Sequence, residues 1–228
     1  MHAKLISHSS PSGRIHSGDP GYKGLDNIQD LIAFAARVSN PSNQANTATT
    51  PKLLDYLIKH KHWSPFEMAS ACIEIQTTRD IARQLLRHRS FSFQEFSQRY
   101  ADIRDLDDNF VIREARMQDP KNRQNSIACD DVCVEAWWDA QQKFLLEHVK
   151  NIYAEALEKG IAKEQARAIL PEGNTVSRLY VNGTIRSWIH YIELRAANGT
   201  QQEHMDLAVA VCKAIGNIYP KALEFIPN

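Results

Sequence analysis

Residues 87–100 read Arg-His-Arg-Ser-Phe-Ser-Phe-Gln-Glu-Phe-Ser-Gln-Arg-Tyr. Arg87, His88 and Arg89 stand in a row. They are followed by the carboxylate of Glu95, the hydroxyl of Ser97 and an arginine–tyrosine pair, Arg99 and Tyr100. A solvated helix face has no need of Phe91, Phe93 and Phe96, and a packed core does not tolerate this many arginines. Guanidinium forks bind phosphate bidentately, and aromatic rings wall in a planar ligand. The segment therefore describes a half-buried site for an anionic, planar ligand, with a phosphorylated heterocycle as the leading candidate.

The elements around it must place these groups. Ile81, Ala82, Leu85 and Leu86 give residues 79–89 a helical period, with Arg79, Arg83 and Arg87 stepping along the opposite side and Gln84, Arg87 and His88 spaced to share a face. The segment thus begins at the C-terminal end of a helix and runs into extended or irregular chain. Upstream, residues 3–7 are expected as a short strand, 9–24 as a loop, 25–38 as a helix, and 39–49 as a polar loop. Thr50 then caps a helix with Pro51 at its first position. A turn at 62–67 feeds a strand over 69–76. Residues 101–128 are polar and carry no assignable period. The longest helix is expected over 130–159, with Trp138, Leu145, Val149, Ile152 and Ala156 as its apolar face and Gly160 as its C-terminal stop. A short helix at 163–170 ends at Pro171. A strand at 176–181 turns at Asn182-Gly183, and helices at 184–197 and 200–218 close the chain. The class is α+β, a small antiparallel or mixed sheet with packed helices, in a single domain spanning 1–228.

Bulk properties narrow the function. Lys+Arg and Asp+Glu both total 27, so the net charge is zero, which argues against a general nucleic-acid binder. No stretch approaches the roughly 20 apolar residues of a membrane span. Residues 1–8 lack the long apolar core of a secretory signal, and a cytoplasmic protein is expected. Asn182 and Asn198 begin Asn-X-Thr sequons that are then chance matches. Cys72, Cys129, Cys133 and Cys212 contain no CxxC pair. Cys129 and Cys133 would supply only two of the four ligands a zinc site needs, so no metal is expected and the thiols read as buried and reduced.

Arg87-His88-Arg89, seven residues and then Ser97 resembles the signature of the flavin-dependent thymidylate synthases. The blocks at 62–67 (His-Trp-Ser-Pro-Phe-Glu), 166–171 (Ala-Arg-Ala-Ile-Leu-Pro) and 186–195 (Arg-Ser-Trp-Ile-His-Tyr-Ile-Glu-Leu-Arg) resemble further blocks of that family and occur in its order. The resemblance implies a homotetramer with FAD bound between subunits. It also implies conversion of dUMP to dTMP with methylenetetrahydrofolate as carbon donor and NADPH as reductant. Carried over by position, it implies dUMP binding by Gln84, Arg87, Glu95, Ser97, Gln98, Arg99, Arg167 and Arg195. It implies FAD binding by Ser64, Glu67, Arg87, His88, Arg89, Glu95, Thr184, Arg186 and His190, and it makes Arg195 the catalytic residue that favours ionisation of uracil N3. Gln94, Thr184 and His190 stand where members of the family often have asparagine.

These residue types suit that chemistry. Uracil carbon 5 is a poor nucleophile, activated either by a thiolate adding at carbon 6 or by stabilising negative charge on the ring. Neither Cys72 nor Cys212 has a neighbouring base in sequence. A permanently charged arginine stabilises the developing anion without being consumed; the bland alternative for Arg195 is a surface pair with Glu193 or Glu203. Arg99, Arg167 and Ser97 together form a phosphate donor set. Ser97 has no recognisable triad partner and is assigned to binding. Glu95 is expected among Arg87, Arg89 and Arg99, orienting their guanidiniums. No GxGxxG occurs, so no Rossmann turn holds the flavin. Two other readings stand beside this one. An RNA-binding module would use the arginines from 79 to 104 with the three phenylalanines as stacking surfaces, but has no need of the 186–195 block. A related flavin reductase or oxidase would act on another pyrimidine.

Overall fold

The computed structural model describes residues 1–12, 25–106 and 108–226. The expected loop at 9–24 therefore falls largely outside the described residues. Buried and half-buried positions alternate along β2 (Ser70–Thr78), which places Ala71, Ile73 and Ile75 on one face. β2 is central: β1 (His2–His8) pairs on one side and β6 (Val176–Thr184) on the other, with β3 (Ser92–Glu95) outside β6. Every pairing is antiparallel, in register Leu5↔Ile73, Ile73↔Val181 and Phe93↔Val181. A separate hairpin of β4 (Arg116–Gln118) and β5 (Ser126–Ala128) gives structure to the stretch without sequence period. Strands, helices and sheet make the α+β class expected from the sequence.

The helices are α1 (Ile28–Ala36), α2 (Thr50–Lys59), α3 (Arg79–Leu85), α4 (Val132–Glu158), α5 (Lys163–Ala166), α6 (Ile185–Arg195) and α7 (Gln202–Gly216). Leu179, Val181, Ile185, Trp188, Ile189, Ile192, Leu207 and Val211 join the β2 residues in one buried cluster beneath α6 and α7. Trp188 Nε1 donates to Ala71 O at 3.0 Å, so the largest core side chain also satisfies its one donor.

Four local expectations are corrected. Thr49 occupies the N-cap of α2, and Thr50 lies inside it because its hydroxyl donates to buried Asp30 Oδ1 at 2.9 Å. The helix expected to reach residue 89 stops at Leu85, which puts Arg87 and His88 in the turn beyond it rather than on a helix face with Gln84. Asn182-Gly183 is no turn: β6 runs through both to Thr184. A Cβ on Gly183 would stand 2.2 Å from Phe91 Cδ1, so glycine is there to admit the phenylalanine ring. Finally, α4 turns a different face inward. Gln142, Leu146, Val149 and Tyr153 are buried, whereas Trp138, Leu145 and Ile152 from the expected stripe are exposed, together with Trp137 and Phe144. Gln142 is drawn inward by hydrogen bonds to both the N–H and the C=O of Arg113.

Candidate active site

α6 carries functional side chains on two adjacent faces, because residues four apart on a helix align. Its start is capped by Thr184 Oγ1, which accepts from Ser187 N at 3.2 Å; Thr184 thus serves the helix end directly. Arg186 in the first turn pairs with Glu67, and His190 meets Trp63 edge to face with centroids 5.0 Å apart. Trp63 and Arg186 line a cleft of about 530 Å³ together with His62, Ser64 and Pro65. An aromatic wall, a hydroxyl and a guanidinium at one cleft form a donor set that fits a planar, phosphorylated cofactor.

Tyr191 and Arg195 lie on the other face. Arg195 Nε donates to His88 Nε2 at 3.0 Å. His88 is therefore neutral, with its hydrogen on Nδ1. Burial, then the positive charges of Arg195 and Arg87, lower its pKa to about 4, so the imidazole stays an acceptor at neutral pH. Burial also lowers the pKa of Arg195, with Arg87 acting the same way, but an arginine remains charged. Neither Glu193 nor Glu203 pairs with it: Glu203 is taken by Arg113 at 3.3 Å. Among the described residues Arg195 has no carboxylate partner, so its two terminal nitrogens remain available. His88 in turn packs edge-on against Tyr191, 5.2 Å between centroids, and Phe91 fills the space between Trp188 and Tyr191.

Glu95 is placed differently from the sequence expectation. Its Oε1 accepts from Ser177 Oγ at 2.7 Å and pairs with Arg79 at 3.4 Å, rather than with Arg87, Arg89 or Arg99. The β3–β6 register accounts for this, because Glu95 opposes Leu179, two residues along β6 from Ser177. Arg87 and Arg89 have no carboxylate partner among the described residues. Ser97 and Arg99 lie in the turn after β3, held against α5 by the Arg99–Glu164 pair at 3.3 Å and by Lys163 Nζ donating to Tyr100 O at 3.0 Å. Arg167 follows α5 directly, at the end of the helix to which Arg99 is paired. Gln98 is buried with its Nε2 unpartnered. The sequence-predicted residues thus stand in separate places: His88 with Arg195, and Gln84 with Gln201 and His204; Glu67 with Arg186, and His190 against Trp63 next to Ser64; Ser97 and Arg99 in the turn after β3, with Arg167 at the end of α5; and Glu95 with Arg79.

The cysteines need one correction. Cys129 and Cys212 are buried and Cys72 is half-buried, but Cys133 is exposed at the start of α4. Burial raises the Cys72 thiol and pushes Cys212 up to about 11. The sequence assigns no role to Tyr191 or His204 and places Arg79 only in an arginine stripe, because their contacts lie far along the chain.

Comparison with known proteins places this arrangement. The family model described as "Thymidylate synthase complementing protein" matches residues 23–221. A probable flavin-dependent thymidylate synthase of Paramecium bursaria Chlorella virus 1 is 52% identical over 215 residues, covering 94% of this chain and 93% of that protein. A flavin-dependent thymidylate synthase of Synechocystis sp. is 50% identical, covering 84% of this chain and 86% of the relative. Among solved structures, the UMP/dUMP methylase PolB from Streptomyces cacaoi, bound with 5-Br dUMP, superposes with a TM-score of 0.76 at 25% identity over 98% of this chain and 93% of that one. With most of its length matched by the family model and by relatives at half identity or better, this chain belongs to the flavin-dependent thymidylate synthase family.

Proposed function

We propose that this chain, acting as a single 1–228 domain, converts dUMP to dTMP with carbon from methylenetetrahydrofolate and electrons from NADPH passed through FAD. The observation that carries the reading is Arg195, a half-buried guanidinium whose Nε is spent on a neutral histidine while its paired terminal nitrogens face no carboxylate among the described residues. That geometry offers a bidentate cationic edge to the uracil N3–carbonyl region. Charge stabilised there is relayed to carbon 5, which attacks the donated one-carbon unit and then loses its proton. In balance, carbon 5 forms one bond to the methylene and releases one proton, and tetrahydrofolate leaves as the methylene's bond to it breaks. One hydride equivalent (two electrons and a proton) drawn from NADPH completes the methyl and leaves NADP+. Raised pKa values at Cys72 and Cys212 support a route without a thiolate nucleophile.

FAD, when bound, would relay reducing equivalents from NADPH to the transferred carbon. Ser64, Glu67, Arg186 and His190 would hold it at the cleft, with His88 and Arg89 approaching from the 87–89 turn. Gln84, Arg87, Gln98 and Glu95 would frame the nucleotide, and Ser97, Arg99 and Arg167 its phosphate. Thr184 would contribute chiefly by fixing the start of α6. The test is tritium release from 5-tritiated dUMP with FAD, NADPH and methylenetetrahydrofolate each omitted in turn. Release that requires all three supports the proposal; release independent of FAD would sink it.

Arg99→Ala isolates the phosphate contact. Its ion pair with Glu164 is exposed and stabilises the fold little. Losing a charge-assisted phosphate contact should therefore weaken dUMP by roughly 2–3 kcal/mol while leaving the melting temperature unchanged. Titration calorimetry reads this directly, and unchanged affinity would remove Arg99 from the phosphate site.

The same reading makes the enzyme a homotetramer with shared sites. In one protomer the functional residues stand in separate groups, and α4 leaves Trp137, Phe144, Leu145 and Ile152 uncovered, with Phe144 73% exposed. A second copy of the chain is the occupant that would both cover this helix and complete the site. Phe144→Glu should then yield a smaller species by light scattering and lose FAD. A variant of unaltered mass and activity would take α4 out of the interface.

A further inference from the structure

His204 lies in the first turn of α7, fully buried on a face otherwise made of Leu207, Ala208, Val211, Cys212 and Ile215. A leucine would suit that face better, because a buried imidazole with one unpaired nitrogen costs about 1–3 kcal/mol. Its Nδ1 is 3.2 Å from Gln84 Oε1, and Gln84 Nε2 donates to Gln201 Oε1 at 2.9 Å. With the Gln84 nitrogen turned to Gln201, its oxygen can only accept, so His204 Nδ1 carries the hydrogen. Burial, with the charge of Arg195 adding to it and a smaller effect of the His88 imidazole after that, holds the His204 pKa down at about 3, and the ring is neutral. Its Nε2 is without a hydrogen-bond partner, as is the hydroxyl of Tyr191, whose ring centroid is 5.8 Å away. Tyr191 stands one helical turn before Arg195 and supports His88.

We propose that His204 is a positioning residue for the nucleotide: its Nδ1–H holds the Gln84 carboxamide in one of two otherwise similar orientations, leaving one N–H and one oxygen lone pair in fixed directions for dUMP. The inference rests on the reading of Gln84 as a nucleotide-binding residue. Neither orientation of a carboxamide is preferred by shape alone, so a donor on the oxygen side decides which face the ligand meets. The polar pair at Gln84 and His204 joins α3 to α7 within the electrostatic reach of Arg195, in an apolar setting where it is a burden on stability.

Two variants test this in the FAD-loaded enzyme. His204→Leu removes the donor and fills the space with carbon; His204→Asn keeps an N–H near the imidazole Nδ1 position. His204→Leu should match or exceed the wild-type melting temperature, keep its FAD affinity and bind dUMP about tenfold more weakly, the scale of one lost buried hydrogen bond. His204→Asn should restore dUMP affinity to within a few-fold of wild type. Wild-type dUMP affinity in His204→Leu would overturn the inference, as would equal losses of FAD and dUMP binding in both variants. If His204→Leu does not fold, His204→Asn decides, since a tenfold loss there would also overturn it. Wild-type protein that binds FAD but not dUMP would bring down the functional reading first, and this inference with it.

Discussion

Replacing Arg195 by alanine should leave FAD bound and lower turnover on the order of a thousandfold. Oxyanion-type stabilisation by a fixed donor is commonly worth about 3–4 kcal/mol in the transition state, and here one guanidinium supplies it. FAD retention follows because Ser64 lies in the turn before β2, Arg186 and His190 sit on the other face of α6, and none of the three makes a hydrogen bond to Arg195. The fold should survive, since Arg195 is half-buried at the last residue of its helix and, among the described residues, its side chain hydrogen-bonds only His88. Arg195→Lys should rescue little: an ammonium lacks the second donor of the fork and cannot place one hydrogen on His88 while presenting two to a ring edge. The visible flavin spectrum and the tritium-release rate are the two readings. A variant that turns over normally would remove Arg195 from the chemistry. Above pH 5 the pair is insensitive to pH, because His88 with a pKa of about 4 remains an acceptor throughout that range.

The elements that position this arginine were legible from local pattern alone. β2 alternates, α6 and α7 repeat at helical spacing, and Gly160 ends α4 at a positive φ of 80°. What escaped the sequence depended on partners far along the chain. Asn-Gly is a strong hairpin signal, yet the strand continues because Phe91, some ninety residues earlier, needs the space over Gly183. Glu95 sits beside arginines in sequence, but strand pairing delivers it to Ser177 and Arg79. His204 resembles any buried helix histidine until Gln84 is seen against it.

The α4 stripe held at Val149 and at half-buried Ala156 but not at Trp138, Leu145 and Ile152, for a related reason. Apolar residues occur around more than one side of that helix, so its period alone does not choose the inward face. The choice is made by Gln142, a polar residue that apolar pattern reading discards, through its paired hydrogen bonds to the Arg113 backbone. Residues left outside by that choice are the ones a second copy of the chain would cover. Under the proposed assembly, core packing within one protomer and contact between protomers would draw on the same helix. A pattern read along one chain merges the two.

Among the described glycines, Gly183 should be the one least tolerant of alanine. The added methyl would stand 2.2 Å from Phe91 Cδ1 and 2.4 Å from Cε1. Phe91 cannot withdraw, because its ring lies 4.3 Å from that of fully buried Trp188 and 6.0 Å from that of Tyr191, 1% exposed, between centroids. Nor does β6 have room to shift, since it is paired on both sides, with β2 and with β3. Overpacking of this kind costs about 3 kcal/mol, which for a domain of this size lowers the melting temperature by roughly 10 °C. The damage should also reach catalysis. Phe91 borders His88 with centroids 6.3 Å apart, and His88 holds Arg195, so displacing the phenylalanine disturbs the guanidinium two contacts away. Phe91→Leu in the Gly183→Ala background should recover part of both losses, because the smaller side chain vacates the contested space. Thermal melts and tritium release on the single and double variants read the two effects separately. A Gly183→Ala protein that melts within a degree or two of wild type would show that the phenylalanine is not wedged, and that the glycine is there for some other reason.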